Sequence, residues 1–537
     1  MTLVPRFLLS FFAGIEVSRF ARQQKAGGRG HAAQLAAFRQ LMTQFAGTEL
    51  GRTRGLSAGT GTEEFREQVP LQRYEAVKPL VERMALGEPD VLTPGRCPFF
   101  VETAGTTGSP KLLPVPEPML AHFRQGVRDA VFQFAARAGH AGVFTGRHVH
   151  LGASTALREA RGAFCTSFDG IVTLSLSRWA EANLYLPGDA VGALPEGPEK
   201  FAAAARATAH RDVTLLGGTP AAIFALADAV REAAATGKQR MTHLQAVWPN
   251  LECCLFTGAP LGLFAEPLRA GLGPTVQLHE VYAAAEGFFA AQDDSSGSGL
   301  RLFADAGIYF EFLPLRYHHE GSLERAGAQC VPLEQAQTGV DYVMVVTTPA
   351  GLCRYVTEDV VRFVTLDPPR LQFVGRTAFQ LNSFGERVSE RELLETLQAV
   401  CTRNGWQPVS FHVAPIHHRI AAGQAISAHE WWLELRTHTI KTPTANVLSP
   451  EFDTELSRRN GEYAARRAKQ ALDAPAVRLV MPGVFDQWAR EHQKTSSASK
   501  MPRCRSDRLI ADQLAALTRF HQATLAPFPP NTPSAKA

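Results

Sequence analysis

The stretch Glu102-Thr-Ala-Gly-Thr-Thr-Gly-Ser-Pro-Lys-Leu-Leu-Pro114 decides how the rest of this chain is read. Gly105 and Gly108 let the backbone bend closely around an anion. Thr103, Thr106, Thr107 and Ser109 supply hydroxyl donors, and Lys111 adds a cation. Donors and positive charge on a flexible loop describe a phosphate cradle. The competing reading is a P-loop, which needs Gly, then Lys, then Ser or Thr. Here Pro110 precedes Lys111 and Leu112 follows it, so that reading fails. Taken alone the segment also fits a Gly/Thr-rich turn, and its surroundings must decide.

The surroundings are those of an ordinary globular protein. The 537 residues exceed one compact core, and two domains are expected. Hydrophobic residues make up 45% and charged ones 20%, with Lys+Arg 55 against Asp+Glu 51 and a net charge of +4. The one basic group is Arg503, Arg505 and Arg508, so nucleic acid is not an expected partner. Eight scattered cysteines without a CxxC pair point to reduced thiols and a cytoplasmic protein. No apolar run reaches the roughly 20 residues needed to cross a bilayer. Phe7–Ile15 behind Arg6 has some look of a signal segment. It lacks a small-residue cleavage pattern, and Glu16 and Arg19 continue it as an amphipathic, packed helix.

Helical spacing of apolar residues marks Ala32–Phe45, Glu75–Met84, Ala121–Arg137, Gly197–Ala209 and Thr219–Ala235. Short apolar runs at Val149–Gly152, Val213–Leu216, Cys253–Phe256, Val276–Val281, Ile308–Phe312 and Val343–Thr347 read as strands. Their alternation with helices predicts an α/β core, its β-sheets flanked by helices. A break near Gly375–Gly385 precedes a smaller α+β domain. That domain has helices at Glu390–Cys401 and Pro450–Leu472 and strands near Val409–Ala414 and Glu430–Leu435. Thr495–Ser499 reads as a polar loop. The expected boundaries are 1–378 for the large N-terminal domain, 379–526 for a mobile C-terminal cap domain and 527–537 for a disordered tail.

Further segments follow the phosphate loop in a telling order. They are Trp248-Pro-Asn-Leu-Glu252 with Phe256-Thr-Gly-Ala-Pro-Leu261, then Glu280-Val-Tyr-Ala-Ala-Ala-Glu-Gly-Phe-Phe289. Next come Val345-Val-Thr-Thr-Pro-Ala-Gly-Leu-Cys-Arg-Tyr355 running into Asp359-Val-Val-Arg-Phe363, and Phe373-Val-Gly-Arg376 with Phe384-Gly-Glu386. Lys500-Met-Pro-Arg503 with Ser506-Asp-Arg508 closes the series. In these motifs the chain resembles the adenylate-forming superfamily of acyl-CoA synthetases, luciferases and adenylation domains. More narrowly it resembles the Gretchen Hagen, auxin-responsive family of acyl-acid amido synthetases in its bacterial form. The likeness spans nearly the whole chain.

The resemblance implies an enzyme that uses ATP and Mg²⁺ to adenylate a small carboxylic acid and then joins the acyl group to an amino acid. It implies that Thr103, Gly105, Thr106, Thr107, Gly108, Ser109 and Lys111 hold the β- and γ-phosphates. Thr257, Gly258 and Ala259 would wall the adenine, and Tyr282 would stack or pack near it. Glu286 would bind Mg²⁺, Asp359 the ribose hydroxyls, and Arg376 the ribose or phosphate side. Lys500 would stabilise charge developing between the α-phosphate and the attacked carboxylate. The acid would sit among residues of the 115–169 region and those just before Tyr282, with Phe164, Phe168 and Phe289 as packing surfaces. A monomer without nucleic-acid or membrane partners is expected.

Outside such motifs, Glu286 or Asp359 would read as solvated or salt-bridged carboxylates, and Lys500 as an exposed lysine in a polar loop. His148 and His150 alternate on one strand face without a third ligand, and Cys253-Cys254 reads as core. Three positions depart from the family pattern: Ala285 for a hydroxyl residue, Glu358 for Gly, and Ala378 for an acidic residue. Two alternatives stay in view. One is an acyl-CoA ligase sharing the adenylation step, and the other a nucleotide-binding protein that has lost catalysis.

Overall fold

Continuous apolar runs such as Val213–Gly218 can be buried on both faces only inside a helix-covered parallel sheet, and the computed structural model has that arrangement. It describes residues 6–25, 29–103, 111–160, 162–235, 241–257, 265–294, 299–320, 323–384, 386–419, 425–436, 445–492 and 501–525. These form two compact units, Met1–Ala378 and Phe379–Ala537.

Eleven strands of the first unit carry its architecture: β1 (Phe99–Glu102), β2 (Leu112–Val115), β3 (Arg147–Leu151), β4 (Val213–Gly218), β5 (Cys253–Phe256) and β6 (Gln277–Ala284), then β7 (Gly287–Ala291), β8 (Tyr309–Pro314), β9 (Asp341–Thr347), β10 (Tyr355–Leu366) and β11 (Pro369–Arg376). Strands β3, β4, β5 and β6 run parallel, so their C-terminal ends share one edge. From β6 onward the pairing is antiparallel: β6 with β7, then, through Leu300–Leu302, with β11, β10, β9 and β8. Helices Pro198–Thr208 and Pro220–Ala233 cover the parallel half, packing Phe201, Leu226 and Val230 on Val213, Leu216 and Cys254. Helix α1 (Glu117–Ala138) lies on the antiparallel half, where Phe123 joins Phe288, Phe310, Phe312 and Phe363 in the core. A four-stranded sheet pairs β1 with β2 in a hairpin and with Ala163–Thr166 in parallel. The six strands read from sequence are all present. The long hairpin β10–β11 lies inside motifs that show little clean alternation.

One buried charge pair locks the loop leading into β10. Arg354 is 1% exposed, and its Nε and Nη2 donate to the two oxygens of Glu311 at 2.9 and 3.1 Å. Its Nη1 also donates to the carbonyls of Arg66 and Val69, and Nη2 to that of Gly327. Every donor pointing inward is satisfied, which is what a buried guanidinium requires.

In the second unit, strands Pro408–Arg419, Ala425–Leu435 and Ala476–Val480 form a three-stranded sheet. Helix Glu390–Asn404 opens with a capping box between Ser389 and Glu392. The single helix expected over Pro450–Leu472 is two, Ala445–Arg459 and Gly461–Ala468. Asn460 breaks it, because its side chain accepts the Tyr463 N–H at 2.7 Å and so starts a new helix. The tail 527–537 and Thr495–Ser499 lie outside the described residues. No described helix is long and apolar enough to cross a membrane.

Two outcomes follow. Arg354→Ala leaves Glu311 charged and buried without its main partner, and a loss of about 3–5 kcal/mol in the urea unfolding free energy is expected. Burial also holds His122, His148 and His279 well below the usual histidine range, at about 4, 4 and 3. Their folded forms are neutral while the unfolded chain takes up protons below about 6.5. The stability they contribute is therefore present above that pH and lost as pH falls toward 4. A urea midpoint that stays flat from pH 7 to 4.5 contradicts this.

Candidate functional site

The C-terminal ends of parallel strands are where open α/β sheets bind ligands, and the motif residues gather beside that edge. Thr257 follows β5 directly. Its N–H donates to Gly218 O at 3.2 Å, while its hydroxyl is buried with no hydrogen-bond partner among the described residues. Gly258 and Ala259 lie outside them.

β6 and β7 meet in a two-residue turn made of Ala285 and Glu286, since Ala284 pairs with Gly287. A Cβ on Gly287 would come within 2.5 Å of Ile308 Cδ1 and 2.8 Å of Phe289 Cε1, so no side chain fits immediately after Glu286. His122 fixes the outgoing strand. It accepts the Phe288 N–H on Nε2 at 2.8 Å, and its Nδ1 lies 2.6 Å from Ala306 O, which requires the neutral Nδ1–H tautomer. Burial pushes the Glu286 carboxyl upward and the charge of Asp359 adds to that, while Lys111 and Arg376 pull the other way.

Asp359 lies near the start of β10, opposite Arg376 on β11. Tyr282 donates its hydroxyl to Oδ2 at 2.7 Å. Arg376 Nε stands 2.9 Å from Oδ1 as an ion pair, off the axis of a hydrogen bond, so that buried oxygen keeps its accepting capacity. The Tyr282 ring packs near Phe289 and Phe373, at centroid distances of 5.1 and 5.7 Å. Burial and the Asp359 charge drive its phenol well up, so it stays a donor.

The phosphate loop is closed at its base. Thr103 N–H donates to Lys111 O at 2.9 Å, and Lys111 N–H returns to Thr103 Oγ1 at 3.0 Å. Gly105, Thr106, Thr107, Gly108 and Ser109 fall outside the described residues, as does Lys500. The Lys111 ammonium donates to Tyr355 Oη at 3.3 Å and lies 5.7 and 5.9 Å from the ring centroids of Tyr74 and Tyr355. The Tyr74 hydroxyl in turn accepts the Leu112 N–H at 2.8 Å.

Lys111, Glu286 and the facing hairpin residues Asp359 and Arg376 thus come from three distant segments into one electrostatic neighbourhood. The two tyrosines around Lys111 and the clamp of His122 were not singled out from sequence. Tyr355 stands inside a quoted motif and Tyr74 closes the family-like stretch Val69-Pro-Leu-Gln-Arg-Tyr74, whereas His122 carries no local signal. Phe289 is fully buried in the core. Phe168 packs on Phe123, and Phe164 is exposed beside Phe99. His148 Nε2 lies 2.9 Å from Val143 O, and His150 pairs with Asp169 at 3.3 Å. No cluster of three or more metal-ligating side chains occurs among the described residues. In the second unit, Val413 N–H donates to Arg503 O and Arg505 N–H to Val413 O, fixing the segment that follows Lys500. Arg503, Arg505 and Arg508 pair with Ser410, Asp507 and Glu430, so they form no open basic patch.

The fold is that of adenylate-forming enzymes. The chain superposes on a solved GH3.15 acyl acid amido synthetase with a TM-score of 0.69 and 18% identity, over 91% of this chain and 93% of that one. Against 2-hydroxyisobutyryl-CoA ligase in its postadenylation state the TM-score is 0.57 with 16% identity, over 90% and 91%. Within that fold the chain belongs to the GH3 (Gretchen Hagen) family. The family's N-terminal domain matches residues 19–171, its central domain 301–376 and its C-terminal domain 391–509. Relatives include indole-3-acetic acid-amido synthetase GH3.8 of Oryza sativa subsp. indica, 27% identical over 48% of this chain and 44% of the relative. Indole-3-acetic acid-amido synthetase GH3.4 of Arabidopsis thaliana is 24% identical over 48% and 45%. The matched stretch thus spans under half the length of these relatives.

Tyr282→Phe leaves Asp359 Oδ2 buried without its donor. A loss of about 1–3 kcal/mol in unfolding free energy is expected, with weaker ATP binding by calorimetry. Wild-type stability and affinity together would contradict the clamp on Asp359.

Proposed function

We propose that the protein is an ATP-dependent acyl-acid amido synthetase. It adenylates a small carboxylic acid and passes the acyl group to the amine of an amino acid. The observation that carries this reading is the convergence of Lys111, Glu286 and Asp359. A phosphate-loop cation, a hairpin-turn carboxylate and a second carboxylate oriented by Tyr282 and Arg376 fit one bound nucleotide. Membership of the GH3 family supports it, as do the names of the relatives.

Asp359 would accept from the ribose hydroxyls through its unspent Oδ1, with Arg376 on the ribose or phosphate side. The open hydroxyl of Thr257 and the small residues Gly258 and Ala259 would border the adenine, and Tyr282 contributes by orienting Asp359 beside it. Thr103–Lys111 would cradle the β- and γ-phosphates. Glu286 fits Mg²⁺. Its carboxylate is raised by burial and by Asp359, so a cation there relieves an unfavourable charge, and Mg²⁺ often binds through one or two carboxylates plus phosphate oxygens. When bound, the ion neutralises phosphate charge. The acid carboxylate is itself the nucleophile, so the protein's part is to position it and to stabilise charge.

We assign the nucleotide and the acid to residues 1–378. We assign the catalytic lysine, Lys500, which would stabilise the charge developing at the α-phosphate, to residues 379–526. Eight buried, unpaired cysteines support a reducing compartment such as the cytoplasm.

ATP–pyrophosphate exchange across aryl, indolyl and alkyl acids tests the reading, followed by a choice of amino acid or coenzyme A as acceptor. Exchange with one acid class and amide formation with an amino acid are expected. Asp359→Ala should weaken ATP binding, while Lys500→Ala should spare binding and slow exchange by roughly 10²-fold or more. No exchange with any acid, from a protein that binds ATP, would sink the reading.

A further inference from the structure

Glu358 stands where the family pattern has Gly, and it keeps the backbone conformation that glycine favours, with φ at 67°. An L-residue in the left-handed region is strained, and such strain persists only where surrounding contacts hold it. Those contacts are charged. Arg73 Nε pairs with Glu358 Oε1 at 2.9 Å, and the Thr377 hydroxyl donates to Oε2. Arg73 Nη2 also donates to His318 Nε2 at 3.1 Å, which makes His318 the neutral Nδ1–H tautomer. The Arg73 side chain is 46% exposed and that of Glu358 25%, so the pair opens to solvent.

The pair borders the site described above. Glu358 immediately precedes Asp359, and Arg73 immediately precedes Tyr74, whose ring lies beside Lys111. The charge of Glu358 is felt at Tyr355, whose hydroxyl takes the Lys111 ammonium. This partly exposed Arg–Glu pair next to the nucleotide residues presents one positive and one negative group in contact at 2.9 Å, open to a ligand that carries both charges.

We propose that Arg73 and Glu358 form the acceptor subsite, Arg73 taking the α-carboxylate of the amino acid and Glu358 its α-ammonium. This rests on the adenylation reading. A zwitterion exchanges partners with the existing ion pair, so neither charge is left without a counter-charge. The ammonium gives one proton to the Glu358 carboxylate. The freed lone pair forms the C–N bond to the acyl carbon while the acyl C–O bond to AMP breaks. That bonding pair leaves on the AMP phosphate, and the second proton lost from nitrogen passes to solvent.

The test uses the full chain with an acid that supports exchange. Wild type, Arg73→Gln, Glu358→Gly and Glu358→Gln are compared for ATP–pyrophosphate exchange. Amide formation is then measured with amino acids and with the matching amines that lack the carboxylate. In each variant the acceptor KM is expected to rise by about tenfold or more, equivalent to one lost charged hydrogen bond, with a much smaller fall in exchange. Arg73→Gln should also erase the preference for the amino acid over its matching amine. Glu358→Gly suits the backbone, so its melting temperature should not drop and misfolding does not explain its loss. Equal falls in exchange and amide formation, or an acceptor KM within twofold of wild type, overturn the subsite. Absence of exchange in the wild type overturns the adenylation reading and this inference with it.

Discussion

The buried Arg354–Glu311 pair is the constraint on which the first unit's site depends. Its arginine belongs to the loop entering β10, and its carboxylate to β8. By donating to Arg66 O and Val69 O as well, it ties the chain before Tyr74 to the strand that carries Tyr355 and Asp359. The backbone then continues the tie: Gln72 N–H donates to Arg354 O, and Val356 N–H to Gln72 O. Tyr74, Tyr355 and therefore Lys111 are placed by one desolvated ion pair. Such a pair adds little net stability over an apolar substitute, but its loss is costly, because Arg354 left alone is a buried charge and Glu311 would keep only Arg66, at 3.3 Å.

On that frame the site is arranged as opposed charges held short of full neutralisation. Lys111 is caged by two aromatic rings and one phenol rather than by a carboxylate in contact. Glu286 sits at a hairpin turn that His122 and Gly287 keep in place, with its own charge disfavoured by burial and by Asp359. Asp359 has one oxygen satisfied by Tyr282 and the other only approached by Arg376. Groups prepared in this way cost no reorganisation when a charged ligand arrives, which is how preorganised sites stabilise developing charge.

Much of this was legible in the chain. Of the strands that later proved parallel, β4 and β5 are almost wholly apolar while β3 and β6 carry polar residues, and each was readable as a strand. Glu286 and Asp359 were readable as site residues because their motifs are long and ordered. The hairpin β10–β11 was not read as strands, since Asp359 and Arg376 interrupt its alternation for the sake of the site and Arg362 for its pair with Asp341. The role of Asn460 was hidden by a helical pattern that continues on both sides of it. His122 and Glu311 gave no local signal. What they do depends on partners such as Ala306 and Arg354, 184 and 43 residues away, and no periodicity encodes such a partner.

The most direct measurement follows an oxygen atom. The acid is prepared with both carboxylate oxygens as ¹⁸O, and amide formation is run to completion with ATP. AMP and phosphate species are then weighed by mass spectrometry. If the carboxylate attacks the α-phosphate and the amine later displaces AMP, one heavy oxygen must appear in AMP and none in pyrophosphate. Heavy oxygen in inorganic phosphate together with ADP would mean an acyl phosphate, and would contradict the adenylation on which the reading of this site rests.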